Sequence, residues 1–500
     1  MSAVEVHKWL HRELAERQQY IQDFCAQNNA EQAHDILSLV KAPHGYGVYA
    51  SIGLNYQYAI FGRDSIEVAE DLLATNQALA KEIILYLAHL QGHEFNLESE
   101  QETGKIHHEY RSLNFNGHDI PIAARKVLAK LGPQWGGSDE ALLYYGSADA
   151  TPLFIRLVYR YFKKYDDDIL DHPTLSVTGR VLPLREYVRA ATSWLVAKIT
   201  ASPWQLFEYR RINPLGLYNQ SWEDSNVSYL HADGSVANAD DGIAAIELQG
   251  YAYDALRSAA DMVAADEVEA ESWRHLASIV RDMALQHLWM PEQNYFAMGL
   301  DRADDGQTRQ IATLGSNPAL LLETTFFDLM PHHLSWPYIE GIVRMIFSED
   351  FMTSAGLRVR AKRHVGFVEF ADYHGSQVTW PKQTFDVAKG LQRHGLYQLA
   401  SLLESCILNT VTKAGEFYEF FFVTEDGRIK YHYRQENPEE PSFHDFGAAN
   451  LPDPGQAWTI SAIISIVHQQ FNKENPLPVS DAVRDLEENI LKKRAQEKDA

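Results

Sequence analysis

The chain has 500 residues, with 44 Lys and Arg against 68 Asp and Glu, for a formal net charge of −24. Nucleic acid and anionic lipid both need clustered cations, so this balance argues against either partner and leaves neutral partners such as sugars. The 45% apolar content is that of a globular chain with a large core, two cysteines (Cys25 and Cys406) are too few for a disulfide scaffold or a Cys-based zinc site, and no apolar run approaches a membrane span.

Apolar residues at helical spacing predict helices over 4–25, 65–74, 78–90, 120–131, 150–163, 183–199, 243–264 and 267–287. The same period continues over 318–329, 337–347, 383–393, 396–412 and 456–471. Asp64-Ser65, Asn317-Pro318 and Pro337 after Ser335-Trp336 read as helix starts. Strand-like alternation is rare, with a hairpin expected from 417–423 and 428–433 around Glu425-Asp426-Gly427. Short turns fall at Thr75-Asn76, His394-Gly395 and 331–335; long links run over 91–119, 202–242, 289–316, 348–382 and 414–455. Long loops in a compact domain are functional or disordered, and these are too aromatic for disorder. The rhythm predicts an all-α fold, a closed ring of helical hairpins whose long links form a pocket at one end. One catalytic domain is expected over 1–475, with 1–57 as a lead-in. A charged tail follows over 476–500, helical at 483–491. The N-terminus lacks an apolar signal core, which points to the cytoplasm.

Several stretches could carry chemistry. Gly216-Leu-Tyr-Asn-Gln-Ser-Trp-Glu-Asp-Ser225 sets two acids, Glu223 and Asp224, beside Trp222 and Tyr218, with no helical or strand period. An acid held against aromatic rings loses hydration and stays protonated near neutrality, as a general acid in glycoside cleavage must. The alternative is a turn in which Asp224 and Ser225 cap backbone amides. Arg63 and Asp64, in Gly62-Arg-Asp-Ser65, can donate to and accept from sugar hydroxyls. His107, His108 and Glu109 are badly spaced for a metal site and read instead as polar pocket residues. Asp149 either caps the next helix or binds substrate; Glu247 and Gln249 stand near the start of an apolar helix; His374 and Trp380 share a loop, with Trp380 a stacking platform or a packed anchor. A second acid is expected in 414–427, where Glu416 and Glu419 sit among aromatics. On a strand they would face opposite sides, and only one would reach the pocket.

In combination, several motifs resemble the amylo-α-1,6-glucosidase (glycogen debranching-type) glycoside hydrolases. They are Gly-Arg-Asp, Gly104-Lys-Ile-His-His-Glu-Tyr-Arg111, Tyr144-Tyr-Gly-Ser-Ala-Asp-Ala-Thr-Pro-Leu-Phe154, Asn219-Gln-Ser-Trp-Glu-Asp-Ser225, Glu247-Leu-Gln-Gly-Tyr251 and Gln456-Ala-Trp458. The resemblance spans about residues 58–464 and extends more loosely to glucoamylases, processing glucosidases and mannosylglycerate or glucosylglycerate hydrolases. It implies an (α/α)6 barrel, inversion at the anomeric carbon, a carbohydrate substrate and no cofactor. It makes Asp224 the general acid and Glu419 the base, with Glu416 as the fallback. Arg63, Asp64, His108, Glu109, Asp149, Trp222, Glu247, Gln249, His374, Trp380, Gln456 and Trp458 become substrate-binding residues. The His374–Trp380 loop departs from the usual form. The favoured substrate is an α-glucoside, an α-1,6 branch stub or a malto- or isomalto-oligosaccharide first; since only about 60 residues precede the first motif, a small glycoside such as glucosylglycerate, mannosylglycerate or trehalose is the alternative. A sugar epimerase using His374 and His108, or a non-catalytic glucan-binding protein, are the rivals from other classes.

Overall fold

The computed structural model describes residues 3–43, 45–53, 56–113, 122–165, 167–303, 305–367, 374–430, 451–472 and 479–499. Among them, six segments form a closed inner ring: Gly62–Asp71, Ala150–Tyr165, Ile246–Met262, Asn317–Glu323, Pro381–Arg393 and Ala457–Phe471. Each packs against the next, and the last returns to the first. The helices Ala30–Ser38, Gln77–His89, Leu184–Ala201, Glu267–Leu288, His332–Ile346 and Tyr397–Ala414 alternate with them in sequence and pack outside. The fold is an (α/α)6 barrel. Every long link runs from an outer helix into the N-terminus of an inner segment, so the long links share one end, as the helix rhythm predicts.

The ring departs from the sequence pattern in places. Residues 4–25 break into Ala3–Leu10 and Leu14–Gln27. The helix Ala30–Ser38 was not legible from periodicity; its start is set by Asn29, whose side chain accepts from the Glu31 N–H at 2.9 Å. Residues 318–329 form only a 3-10 segment, Asn317–Glu323. The neighbouring inner helices come close to it through two glycines: a Cβ on Gly250 would lie 2.8 Å from Leu321, and one on Gly390 would lie 2.7 Å from the Glu323 nitrogen. His332–Ile346 starts before Pro337 rather than at it. The expected hairpin is present as Phe421–Val423 paired with Ile429–Lys430; residues 431–433 lie outside the described residues. Val378–Thr379 joins it as a third strand. Other two- and three-stranded sheets lie in the links, which an all-α reading did not foresee. The C-terminal helix Asp481–Asp499 docks on Tyr397–Ala414, where Glu487 accepts the N–H of Gln398 at 2.7 Å and of Leu399 at 3.1 Å.

Below the link-bearing end the barrel axis is charged. Arg156 donates to Glu70 through Nε at 3.0 Å and to Glu323 through Nη1 at 2.6 Å, and its Nη1 lies 3.8 Å from Asp254. Arg160 reaches Glu70 at 3.0 Å and Glu323 at 2.8 Å. Beside them Lys382 meets Glu67 at 2.8 Å, Lys389 meets Asp71 at 2.9 Å and Asp386 at 2.8 Å, and Ser461 donates to Asp71 at 2.9 Å. These residues come from all six inner segments. Buried charges persist only when paired and hydrogen-bonded, as they are here. No helix among the described residues is long and apolar enough to cross a membrane.

Candidate active site

The site is built from the N-terminal turns of the inner segments and the links that enter them. Ala59–Phe61 pairs with Glu109–Ser112, which pairs with Ala141–Tyr144. This small sheet leads straight into Gly62–Asp71. Gly62 donates to the His108 carbonyl at 2.9 Å, and a Cβ there would sit 2.1 Å from the His107 oxygen. Only glycine permits that approach. The next residues, Arg63 and Asp64, are thereby fixed on the helix's first turn, inside the barrel mouth. Arg63 donates through Nη1 to Asp149 at 2.9 Å and to the Ser221 carbonyl at 3.0 Å, and through Nη2 to Asp224 at 3.2 Å. Asp149 is held in turn by the Ser147 hydroxyl at 2.6 Å. Arg63 thus pins the loop that presents Asp224.

The opposite wall comes from two other links. Thr379 pairs with Phe421, which sets Trp380 beside Phe420, their rings stacked at 5.3 Å. His374 stacks on Trp380 at 5.1 Å, and Trp222 meets Trp380 edge-on at 5.9 Å. Trp458, on the first turn of Ala457–Phe471, meets Trp380 edge-on at 5.6 Å. Glu419 lies in the irregular segment before Phe421–Val423. That segment is anchored by the Gln456 N–H donating to the Phe417 carbonyl at 2.8 Å and the Thr459 hydroxyl to the Tyr418 carbonyl at 2.9 Å.

These groups surround a cavity at the barrel mouth, with about 340 Å³ of empty space that includes its opening to solvent. Its lining includes Asp224, Glu419, Arg63, Asp64 and His374, with Trp222, Trp380, Trp458 and Gln456. Tyr56 and Phe61 also line it, and sequence reasoning missed both. Tyr56 stands in a stretch of sequence with no helical or strand period, while the Phe61 position, just ahead of Gly62, was available as a signal. The remaining predicted residues lie outside the lining. Asp149 acts on Arg63 from behind. Glu247 accepts from the Tyr229 hydroxyl at 2.6 Å and from Ser221, bracing the Asp224 loop. Gln249 is spent on backbone, accepting from Phe207 N–H at 2.9 Å and donating to the Ala245 carbonyl at 2.8 Å. Glu109 pairs with Arg111, and His108 packs edge-on against Phe61 and Tyr144. Glu416 is also turned away: it accepts from Arg17 at 2.7 Å, Trp9 at 3.2 Å and the Phe417 N–H at 2.8 Å. The two candidate second acids are therefore separated by geometry, Glu416 holding the N-terminal helices and Glu419 facing the cavity. Among the described residues, no group of three or more His, Cys, Asp or Glu side chains could hold a metal.

Burial raises Glu419 well above the usual carboxylate range, with the charges of Asp453, Asp64 and Asp224 adding to it. Burial likewise lifts Asp64 to about 7 against the pull of Arg63. Burial, with Arg63 and Arg360 nearby, holds His374 well below the ordinary histidine value. A raised folded-state carboxyl contributes stability that is full below its unfolded value of about 4 and lost as pH climbs to about 7. Asp64→Asn removes that loss. Its unfolding temperature relative to wild type is expected to rise between about pH 4 and pH 7, and a gap that stays constant across that range would contradict the burial argument. The same variant should bind sugar more weakly, because Asn replaces a carboxylate acceptor.

No family profile and no curated protein matches the sequence. Solved structures do match. The chain is similar to a GH63 mannosylglycerate hydrolase from Thermus thermophilus in complex with Tris, with TM-score 0.54 and 15% identity over 87% of this chain and 98% of that one. The same enzyme in complex with glucose gives TM-score 0.54 and 16% identity over 88% and 99%. A wild-type glycosidase gives TM-score 0.53 and 11% identity over 91% and 97%. The likeness is one of fold. It spans nearly the whole length of both partners, barrel and links together.

Proposed function

We propose that the protein is an inverting glycoside hydrolase that cleaves an α-glucosidic bond at a terminal sugar. The observation that carries this reading is the pair Asp224 and Glu419, delivered by links far apart in sequence to one cavity that also holds the Arg63–Asp64 pair and an aromatic belt. Asp224 gives its proton to the glycosidic oxygen as the bond breaks. Glu419 takes a proton from water attacking the opposite face, which requires a gap of about 6.5–9.5 Å between the two carboxyls. Proton transfer and water attack need no cofactor.

The charges impose a condition on that cycle. Arg63 beside Asp224 favours its carboxylate, whereas burial and acidic neighbours favour a protonated Glu419. The reacting complex needs the reverse. Sugar hydroxyls that draw the donors of Arg63 away from Asp224 would let the proton move to it.

An α-1,6 branch stub or a malto- or isomalto-oligosaccharide is the first substrate class. The alternative is a compact glycoside such as glucosylglycerate, mannosylglycerate or trehalose. The arginine-rich run after Leu357 offers little to a carboxylated aglycone: Arg358 donates to the carbonyls of Thr424 at 2.7 Å and Glu425 at 2.8 Å, and Arg363 pairs with Asp350. Among the described residues Arg63 is the one cation in the lining. An epimerase would need an imidazole base, and His374, the histidine in the lining, is a poor proton acceptor.

Proton NMR of the enzyme with branched limit dextrin, isomalto- and malto-oligosaccharides, trehalose, glucosylglycerate and mannosylglycerate tests the reading. The expected result is β-glucose appearing first from one α-linked substrate and absent with Asp224→Asn. Initial α-anomer would replace the inverting scheme with a nucleophile, and no release from any member would end the hydrolase reading.

A further inference from the structure

Asp453 lies directly behind Glu419. The Glu419 N–H donates to the Asp453 carbonyl at 3.0 Å, and the Asp453 N–H points back at the Glu419 carboxyl, 3.5 Å from Oε2. The Asp453 carboxylate accepts from the Ser51 hydroxyl at 2.9 Å and from the Tyr56 N–H at 3.2 Å. Gly53 completes the turn, since a Cβ there would lie 2.4 Å from the Asp453 carboxyl carbon. One buried side chain, 5% exposed, therefore gathers the turn that carries Tyr56 and the segment that carries Glu419. Both of those residues line the cavity.

We propose that Asp453 is a positioning residue for the catalytic base, fixing where the Glu419 carboxyl stands against the cavity. The inference rests on the reading of Glu419 as that base. Like charges held close disfavour a second negative charge, so a carboxylate fixed behind Glu419 strengthens its hold on a proton. Among the described residues, the other groups facing Glu419 are Asp64 from Gly62–Asp71, Asp224 from the acid-bearing loop and the hydroxyl of Tyr56, with Arg63 and His374 across the same cavity. Of the acids, Asp453 acts most strongly. Once the bound sugar has let Glu419 ionise, its raised basicity makes it the stronger acceptor for the proton of water.

The test compares wild type, Asp453→Asn, Asp453→Glu and Ser51→Ala. Glutamate carboxyls are labelled with carbon-13, and the Glu419 signal is assigned by its loss in Glu419→Gln. In Asp453→Asn the Glu419 titration midpoint should fall by about one pH unit or more, the acid limb of kcat/KM should fall with it, and kcat should drop about tenfold. Ser51→Ala loosens the turn but keeps the charge, so it should lower kcat without moving the midpoint. Asp453→Glu, the fallback should Asn not fold, should keep a raised midpoint and lose kcat. An unmoved midpoint in folded Asp453→Asn, an equal shift in Ser51→Ala, or full kcat in Asp453→Glu would each overturn the proposal. The titration needs no turnover. A midpoint that moves in an enzyme that hydrolyses nothing sinks the glycosidase reading alone, and hydrolysis with an unmoved midpoint sinks this one alone.

Discussion

Asp224→Asn is expected to lower kcat on the preferred glycoside about a thousandfold, with little change in unfolding temperature. Asn keeps an oxygen for the Arg63 Nη2 donor now 3.2 Å from Asp224, so the loop stays in place. What is lost is the proton for the leaving oxygen. Glu419→Gln should cost a similar factor, because Gln cannot accept a proton from water. Glu416→Gln is the contrast. Its carboxylate neutralises Arg17 and accepts from Trp9 and two backbone amides, so the substitution should cost about 1–3 kcal/mol of stability and leave kcat nearly unchanged. Steady-state kinetics and urea unfolding on the three variants decide it. A Glu416→Gln enzyme as dead as Glu419→Gln, but equally stable, would place the base on the wrong residue.

That contrast marks where sequence reading ran out. Glu416 and Glu419 stand three apart in an aromatic run, and no local pattern distinguishes an acid gripped by Trp9 and Arg17 from one facing a cavity. The distinguishing partner of Glu416 is more than four hundred residues away. The ring itself was legible because the outer helices carry ordinary apolar stripes and the links alternate in length. The inner helices were harder. Gly62–Asp71 buries nine of its ten residues, among them Arg63, Asp64, Glu67 and Asp71, and although Arg63 and Asp64 were read as pocket residues, nothing in the local pattern shows that Glu67 and Asp71 turn to the axis. The same blindness placed Gln249, which only serves backbone, beside Glu247, which braces the Asp224 loop. The barrel and the glycosidases that share it agree with the resemblance read from the motifs, whereas debranching specificity rests on those motifs alone.

The charged axis makes its own prediction, and the largest one for stability. Arg156→Met is expected to destabilise the fold by about 3–5 kcal/mol. Arg156 is 3% exposed and joins Glu70, Asp254 and Glu323, carboxyls from three other inner segments. With Met in its place, Arg160 would be the one arginine left among three buried acids, with Lys389 acting on Glu323 from farther off. A methionine of similar length fills the space, so the loss measures uncompensated charge rather than a cavity. The partner cluster around Lys382 and Lys389 links the first, fifth and sixth inner segments, and both lysines stay paired with its own carboxylates, Glu67, Asp71 and Asp386. The expected signature is a lowered urea midpoint with an unchanged slope, since the folded and unfolded surfaces stay the same. Activity at temperatures well below the new midpoint should persist, because Arg156 lies below the cavity and lines none of it. A loss under about 1 kcal/mol would mean that neighbouring acids take up protons or that water enters the axis, and the charges would then be a consequence of the polar barrel interior rather than the cross-links that close the ring.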